Sequence, residues 1–415
     1  MAPPAVLSRP DETAVAVRLG WLDALRGWAA LVVALHHASF YYVPELRAQM
    51  VGWFDPGRYG VLLFFLVSGY IVPVSLERHG DVRRFWIGRF FRIYPLLAVA
   101  CAVPVALAVS GLREMRAGLG DYDPVVAVLA HVTMLQDVLA VPNAINVLWT
   151  LSYEMAFYLV VVALFVVKGG RRPGAVAGVC VVAALVAGGV LPVALFSRTA
   201  GIGVVVLGTA VLLAAAVGLA MYGRGAVRIA GGVAGGVVAV LLVALNSRIG
   251  AWEGFVILAV MFTGTVVYRA EHGQMGRRAA AGTMLAVLAG VVAAGLWHAQ
   301  VSVPEEQVAG FRVYWTGSVL LAAGSFAGVW LLRERRFPRW WTGLGTISFS
   351  VYLVHHVLLM LSGRFLGTSG RDEVHRLVVF VVVLLAVSWV TYRWVEAPAQ
   401  RFGRALGARG LKPPA

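Results

Sequence analysis

Charge is what this chain has little of: 13% of its residues are Asp, Glu, Lys or Arg against 60% hydrophobic ones, at a mean hydropathy of +0.82. A soluble globular protein carries about 25% charged residues, so that class is excluded, and 415 residues are too many for one or two membrane anchors. Lysine is nearly absent. Of the 35 basic residues only Lys168 and Lys412 are lysine, a bias that, with the Ala, Gly and Val richness, points to a GC-rich bacterial genome. Cysteine occurs twice, as Cys101 and Cys180, both inside apolar runs. That leaves buried, reduced thiols and excludes a disulfide framework or a thiolate metal cluster. Acidic residues number 20, giving a formal charge of +15 that in a soluble chain would suggest nucleic acid. Here the basic residues lie between hydrophobic runs, where membrane topology accounts for them. No repeat of fixed period is present. Residues 1–20 lack a continuous apolar core behind a basic start and read as a short cytoplasmic tail, not a cleavable signal peptide.

What is abundant is the apolar run. A membrane-crossing helix needs about 20 mostly apolar residues. Twelve runs qualify, at 21–40, 59–75, 93–110, 147–167, 174–196, 201–222, 229–247, 250–268, 280–298, 314–332, 345–362 and 377–395. The fold expected is all-α and polytopic, with about 10–12 membrane helices in one domain over 21–400, followed by a basic cytoplasmic tail at 401–415. Arginine-rich stretches at 78–92, 168–173, 224–228, 269–278, 333–339 and 401–412 alternate with poorly basic loops, which puts them, and both termini, on the cytoplasmic side. The stretch 125–141 carries His131, Gln136 and Asp137 and is short. It reads as re-entrant or interfacial, tolerable only where protein buries it or a wet cavity meets it.

The first run, LDALRGWAALVVALHHASF, holds an arginine near one end and two histidines near the other. Eleven residues of α-helix turn through three full turns plus about 20° and rise about 16.5 Å. Arg26 and His37 therefore share one face, while His36 is rotated by about 100° and faces elsewhere. Ionisable groups inside a span normally face a bundle interior or an aqueous path, although Arg26 snorkelling to the interface and His37 bonding a neighbouring helix is the plainer alternative.

Further stretches bear on this choice. FFLVSGY ends in Ser68 and Gly69, a small-residue break that allows close helix packing or turns backbone N–H groups to a ligand. Arg89 and Arg92, three apart on one helical face, suit bidentate phosphate binding, with topology and anionic-lipid attraction as the alternative. Glu154 lies early in a span, His355 inside another, and Glu396 directly before a helix-ending proline.

In motif order from about Leu22 to Phe402, the chain resembles the acyltransferase family 3 membrane proteins. The resemblance rests on the Arg-ten residues-His pattern of Arg26 and His37 behind Asp23-Ala24-Leu25, on FFLVSGY and RFFRIYP, and on Trp149, Leu151, Glu154, Phe157 and Tyr158. It is completed by the S-x-S-x-Y-L-x-H segment, with Tyr352 and His355. It departs from the family pattern at His36, usually aromatic, and at Val354, commonly tryptophan, which leaves open whether His36 or His356 can substitute. The SGNH-type hydrolase domain that some members append does not follow Glu396.

The resemblance implies an O-acyltransferase of the bacterial cytoplasmic membrane, with acyl-CoA as co-substrate, no bound cofactor and no metal. The acceptor it implies is a hydroxyl of a sugar or glycoside, such as a macrolide sugar, or else of a cell-surface polysaccharide or glycolipid. His37 suits a general base because an ordinary imidazole titrates near working pH. Arg26 would act electrostatically, and Glu154 would bind the acceptor or orient a histidine. Arg89, Arg92, Ser68 and Gly69 would hold the donor, with Asp23, Trp149, Tyr352 and His355 on the acceptor side or in support. Intramembrane Arg, His and Glu also suit a transporter or flippase, and the paired histidines a haem protein. Oligomeric state is not readable from the chain.

Overall fold

The computed structural model describes residues 12–409 other than 51, 113, 117, 188–190 and 369. Of the tail expected at 1–20, residues 12–20 are instead helical and open the first helix, whereas residues 1–11 and the last residues from 410, Lys412 included, lie outside the described residues. Helix makes up 82% of the structure, and no strand occurs among the described residues. In chain order the α-helices are α1 (Glu12–Tyr42), α2 (Pro44–Met50), α3 (Pro56–His79), α4 (Val82–Val109), α5 (Pro124–Val132) and α6 (Trp149–Val166). There follow α7 (Pro173–Ala187), α8 (Leu195–Ala200), α9 (Ile202–Tyr222), α10 (Ala226–Leu245), α11 (Ala251–Glu271) and α12 (Arg277–Ser302). The last are α13 (Glu305–Leu331), α14 (Arg339–Thr346), α15 (Ser348–Phe365), α16 (Val374–Thr391) and α17 (Ala397–Arg409).

Each of the twelve apolar runs holds a helix, although in the run 174–196 the helix ends at Ala187 and residues 188–190 lie outside the described residues. Among the described residues nine helices are long and apolar enough to cross a membrane, or ten if the α14–α15 pair, bent by 66°, counts as one span. The remaining two runs are α1, whose charged and histidine residues dilute its hydropathy, and α7, which is only 15 residues long. Burial sorts the spans into a centre and a rim. The apolar windows of α3, α6 and α11 are 78%, 83% and 89% buried, whereas those of α9, α12 and α13 are 22–28% buried. Rim helices keep apolar residues outward because lipid, not water, meets that face.

Local signals set the ends of the central helices. Asp55 caps α3 by accepting from the Arg58 N–H at 3.1 Å, Pro56 occupies the first turn, and Gly80 closes the helix at φ 63°. Asp81 caps α4 through the N–H groups of Arg83 and Arg84. Two glycine crossings lock the centre. A Cβ on Gly69 would lie 1.7 Å from the Met261 carbonyl oxygen, and one on Gly264 2.2 Å from that of Leu66, so α3 and α11 meet backbone to backbone. A Cβ on Gly345 would likewise lie 2.1 Å from the Asp23 oxygen, where α14 reaches α1.

The stretch at 125–141 forms α5 and then a buried, non-helical loop. Its polar groups are satisfied from within: Gln136 Nε2 donates to Asn143 Oδ1 and the Leu148 oxygen, both at 3.0 Å, and Asn246 Nδ2 donates to the Val138 oxygen at 3.0 Å. Irregular backbone at this depth persists because protein surrounds it.

Pro398 does not end a helix. A π-turn over Tyr392–Glu396 absorbs the misfit, and Pro398 then sits in the first turn of α17, where a missing N–H costs nothing. Residues 401–409 accordingly form a helix packed on α4, with Gly403 against Phe91 and Gly407 against Arg84, rather than a free tail.

The arginine-rich connectors gather at one end of the bundle. Arg269 joins Glu77 and the Gly170 oxygen, Arg333 meets Glu271 at 3.7 Å, and Arg83 lies over Tyr222. Trp341 Nε1 donates to the Ala24 oxygen at 3.0 Å, which brings the start of α1 to the same end.

Candidate active site

α1 runs through the bundle centre and carries two polar clusters. At its Arg26 level, Arg26 Nη2 donates to Ser348 Oγ at 3.3 Å and Nη1 to Asp23 Oδ1 at 3.5 Å. Arg92, Glu154 and Glu396 lie within electrostatic reach of the same guanidinium. Glu396, 3% exposed, accepts from Ser350 Oγ at 3.0 Å and from Gln400 Nε2 at 2.9 Å. Tyr158 donates to Glu154 Oε1 at 2.5 Å. Charges that cannot reach water are thus matched by opposite charges and hydroxyls.

One expected donor residue sits elsewhere than the sequence suggested. Arg89 is buried, donates to Ser75 Oγ at 3.2 Å, and lies over the rings of Phe85 and Tyr158 at 5.2 and 5.3 Å. Its guanidinium braces α3 and α6, and the residue borders a mostly apolar cavity of about 490 Å³ lined also by Trp86, Phe90 and Tyr94, while Arg92 is half-buried near Asp23, Arg26 and Glu396. Gly69 is likewise taken up by the α3–α11 crossing. Its backbone oxygen accepts from Thr265 Oγ1 at 2.8 Å, which leaves that break no room for a ligand. Ser68 beside it is half-buried.

At the other level stands a histidine pair that joins residues 318 apart in sequence. His37 Nδ1 lies 3.2 Å from His355 Nε2, with the rings stacked at 5.2 Å and 27°. Each Nδ1 also faces the carbonyl oxygen one helical turn back, Val33 for His37 and Val351 for His355, at 3.0 Å. A carbonyl only accepts, so in the neutral pair His355 carries its hydrogen on Nδ1 and offers the lone pair of Nε2. His37 Nδ1 then faces two acceptors and must hold the hydrogen itself. Its Nε2 is left as a free base, on a side chain that lines a cavity of about 160 Å³.

That cavity has walls from α1, α3, α6, α11 and α15. Tyr352 and Trp149 form one side, the Tyr352 hydroxyl being fixed by Thr150 Oγ1 at 2.7 Å and the Val147 oxygen at 3.0 Å. His36 lines it too, against the expectation that it faces elsewhere, because the start of α3 wraps round to its side. His36 Nδ1 is 3.8 Å from Asp55 Oδ1, and a Cβ on Gly57 would lie 2.7 Å from its ring. Towards Arg26 only a void of about 10 Å³ remains, lined by Ala29, Ala30, Gly60, Phe64 and Tyr352 among others.

Sequence reasoning missed the ion pair of Arg58 and Glu253, which closes the far wall of the cavity and bridges α3 to α11. A signal existed: each of these two apolar helices has a single charged residue in its first turn. Among the described residues, no group of three or more His, Cys, Asp or Glu side chains is arranged to hold a metal ion.

Against known proteins, residues 19–393 match the family Acyl_transf_3, described as an acyltransferase domain. The chain belongs to this family. It is 31% identical over 150 residues to acyltransferase MdmB of Streptomyces mycarofaciens, across 34% of this chain and 38% of that protein. Peptidoglycan O-acetyltransferase OatA of Listeria monocytogenes is 28% identical over 152 residues, across 34% of this chain and 23% of OatA. Nodulation protein 10 of Rhizobium leguminosarum is 31% identical over 179 residues, across 39% and 48%. The chain therefore spans less than half the length of each of these family relatives. No solved structure matches it.

Proposed function

We propose that this member of the acyltransferase family is a membrane O-acyltransferase that moves an acyl group from acyl-CoA to a hydroxyl of a sugar or glycoside. The observation that carries the reading is the His37–His355 pair at 3.2 Å, with His37 lining the cavity and sharing a helix face with Arg26. In the proposed step the acceptor hydroxyl oxygen attacks the thioester carbonyl carbon while its proton passes to His37 Nε2. The His37 Nδ1–H bond to His355 stabilises the imidazolium that forms, the carbon–sulfur bond breaks, and the CoA thiolate takes the proton back from His37. His355 holds the productive tautomer, as an orienting group does in other base-assisted transfers.

The donor is assigned to the Arg26 level. Arg92 holds its phosphate end, Arg26 adds positive potential at that level, about 16.5 Å of helix rise from His37, and Arg89 braces Glu154 through Tyr158. The names of the relatives support a carbohydrate acceptor, since OatA is named for peptidoglycan; the partial likeness to MdmB keeps a small glycoside of the macrolide type in view.

The orientation belongs to the same reading. With the arginine-rich end in the cytoplasm, the donor is held at the inner level and the histidine cavity lies toward the outer face of a bacterial cytoplasmic membrane. An even number of crossings, ten or twelve, leaves both termini inside, so reporter fusions at Arg278 and at the C-terminus should both give cytoplasmic signals. The enzymatic reading is tested with purified protein, acetyl-CoA and an alkyl glycoside. Acceptor-dependent release of CoA together with an acylated product supports it; glycoside movement across a vesicle membrane without CoA release establishes a transporter instead.

A further inference from the structure

The cavity beside His37 has a second wall whose chemistry the transfer step does not use. Asp55, Arg58 and Glu253 line it, at the start of α3 and of α11, opposite the half-buried indole of Trp149. Each is held in place by its neighbours. Asp55 takes the Arg58 N–H at 3.1 Å, and its own N–H donates to Ser318 Oγ at 2.8 Å. The Arg58 guanidinium is paired with Glu253 and backed by the ring of Trp315 at 4.9 Å. Trp149 is fixed edge-on to Tyr153 at 6.0 Å. A buried ion pair is weak evidence for stability, and charge within spanning helices marks substrate paths more often than structural ties.

Together with Proposed function, on which this rests, we infer that Asp55, Arg58, Glu253 and Trp149 form the acceptor subsite, built for an uncharged or amino sugar and against an acidic one. Carboxylate oxygens and a guanidinium on one wall satisfy neighbouring ring hydroxyls, and the Trp149 face takes the apolar C–H side of the ring. The acceptor is thereby turned so that one hydroxyl meets His37 Nε2. Two carboxylates against one guanidinium leave the wall with net negative charge. A sugar bearing its own carboxylate would meet like charge in a poorly hydrated site, and rejection of this kind sets specificity more strongly than attraction.

The test uses the full-length protein in lipid nanodiscs with acetyl-CoA and three glycosides of one alkyl aglycone: a glucoside, a 2-amino-2-deoxyglucoside and a glucuronide. Transfer is measured alongside glycoside binding without donor. The expected result is a preference of about tenfold or more for the glucoside and the amino sugar over the glucuronide. Glu253→Gln should raise the acceptor KM by about tenfold, leave the acetyl-CoA KM unchanged and erase the discrimination against the glucuronide. Trp149→Phe, which preserves the packing, should raise the acceptor KM alone, and it answers the question should Glu253→Gln not fold. Equal use and binding of all three glycosides overturns the inference, as does a shift of both KM values together in Trp149→Phe. Discriminating binding with no CoA release from any glycoside would sink the transfer reading while the subsite stands.

Discussion

Arg26 and His37 occupy the two ends of one stripe on α1, and their surroundings are built oppositely. Around Arg26, carboxylates, guanidiniums and serine hydroxyls of α1, α4, α6, α15 and the π-turn meet one another, and α14 closes on α1 through Gly345 with no space left. Around His37 the packing opens into a cavity of about 160 Å³, and the carboxylates and guanidinium on its walls come from the starts of α3 and α11. On the proposed function, the contrast divides two tasks along one helix. A charge that only shapes the local potential is best matched and immobile, whereas a base that exchanges a proton needs a lone pair facing open space.

Five substitutions would break or sharpen this contrast. The largest effect is expected at the closed end. In Gly345→Val the added carbons meet the Asp23 carbonyl, which is backbone and cannot turn aside, so the variant should yield no monodisperse protein by size-exclusion chromatography. At the open end Gly57→Ala meets the His36 ring and, at 3.2 Å, the Asp55 carboxylate, both side chains that can turn aside, and the protein should remain folded. Second in size, His37→Ala should lose about 100 to 10,000-fold in kcat while still binding acceptor, because it removes the base and leaves the cavity. A folded His37→Ala with near-normal turnover would remove the proton-transfer role from this end. Third, Arg92→Gln should raise the acyl-CoA KM by about tenfold with the acceptor KM unchanged, as loss of one charge-assisted contact predicts. An equal rise in both would place donor and acceptor at the same level. The smallest effect is expected for His36→Ala, which should keep most of its turnover. A dead His36→Ala beside an active His37→Ala would reverse the assignment of the two rings.

That each of the twelve runs holds a helix was legible because apolar length in a membrane protein is a one-dimensional signal. The Arg26–His37 stripe was legible for a similar reason, since eleven residues close on whole helical turns. What joins distant positions was not. Nothing local in the chain ties His355 to His37, and nothing ties Glu253 to Arg58 beyond a lone charge in the first turn of each apolar helix. Small residues were ambiguous in a way that only packing resolves: beside Ser68, a glycine opens backbone to a ligand or admits a second backbone, and Gly69 does the latter. Arg89 and Arg92 share a helical face by count, yet neighbours on α3 and α6 claim only the first. Pro398 read as a stop because the rule for proline assumes an uninterrupted α-helix, and the preceding π-turn changes the register.

The narrow void between the two levels, about 10 Å³ among Ala29, Ala30, Gly60, Phe64 and Tyr352, is at the lower limit for a single water molecule. Under the proposed reading, with the donor held toward one face of an energised membrane and the acceptor toward the other, the protein faces a hazard that a soluble transferase does not, because a continuous file of water beside a histidine would conduct protons and discharge the gradient. In the resting protein this constriction interrupts such a file. A donor arm that took the proposed route to His37 from the Arg26 level would have to displace the stacked rings of Phe64 and Tyr352, 6.0 Å apart, and would then fill the gap it opened. On that route the substrate would serve as its own stopper.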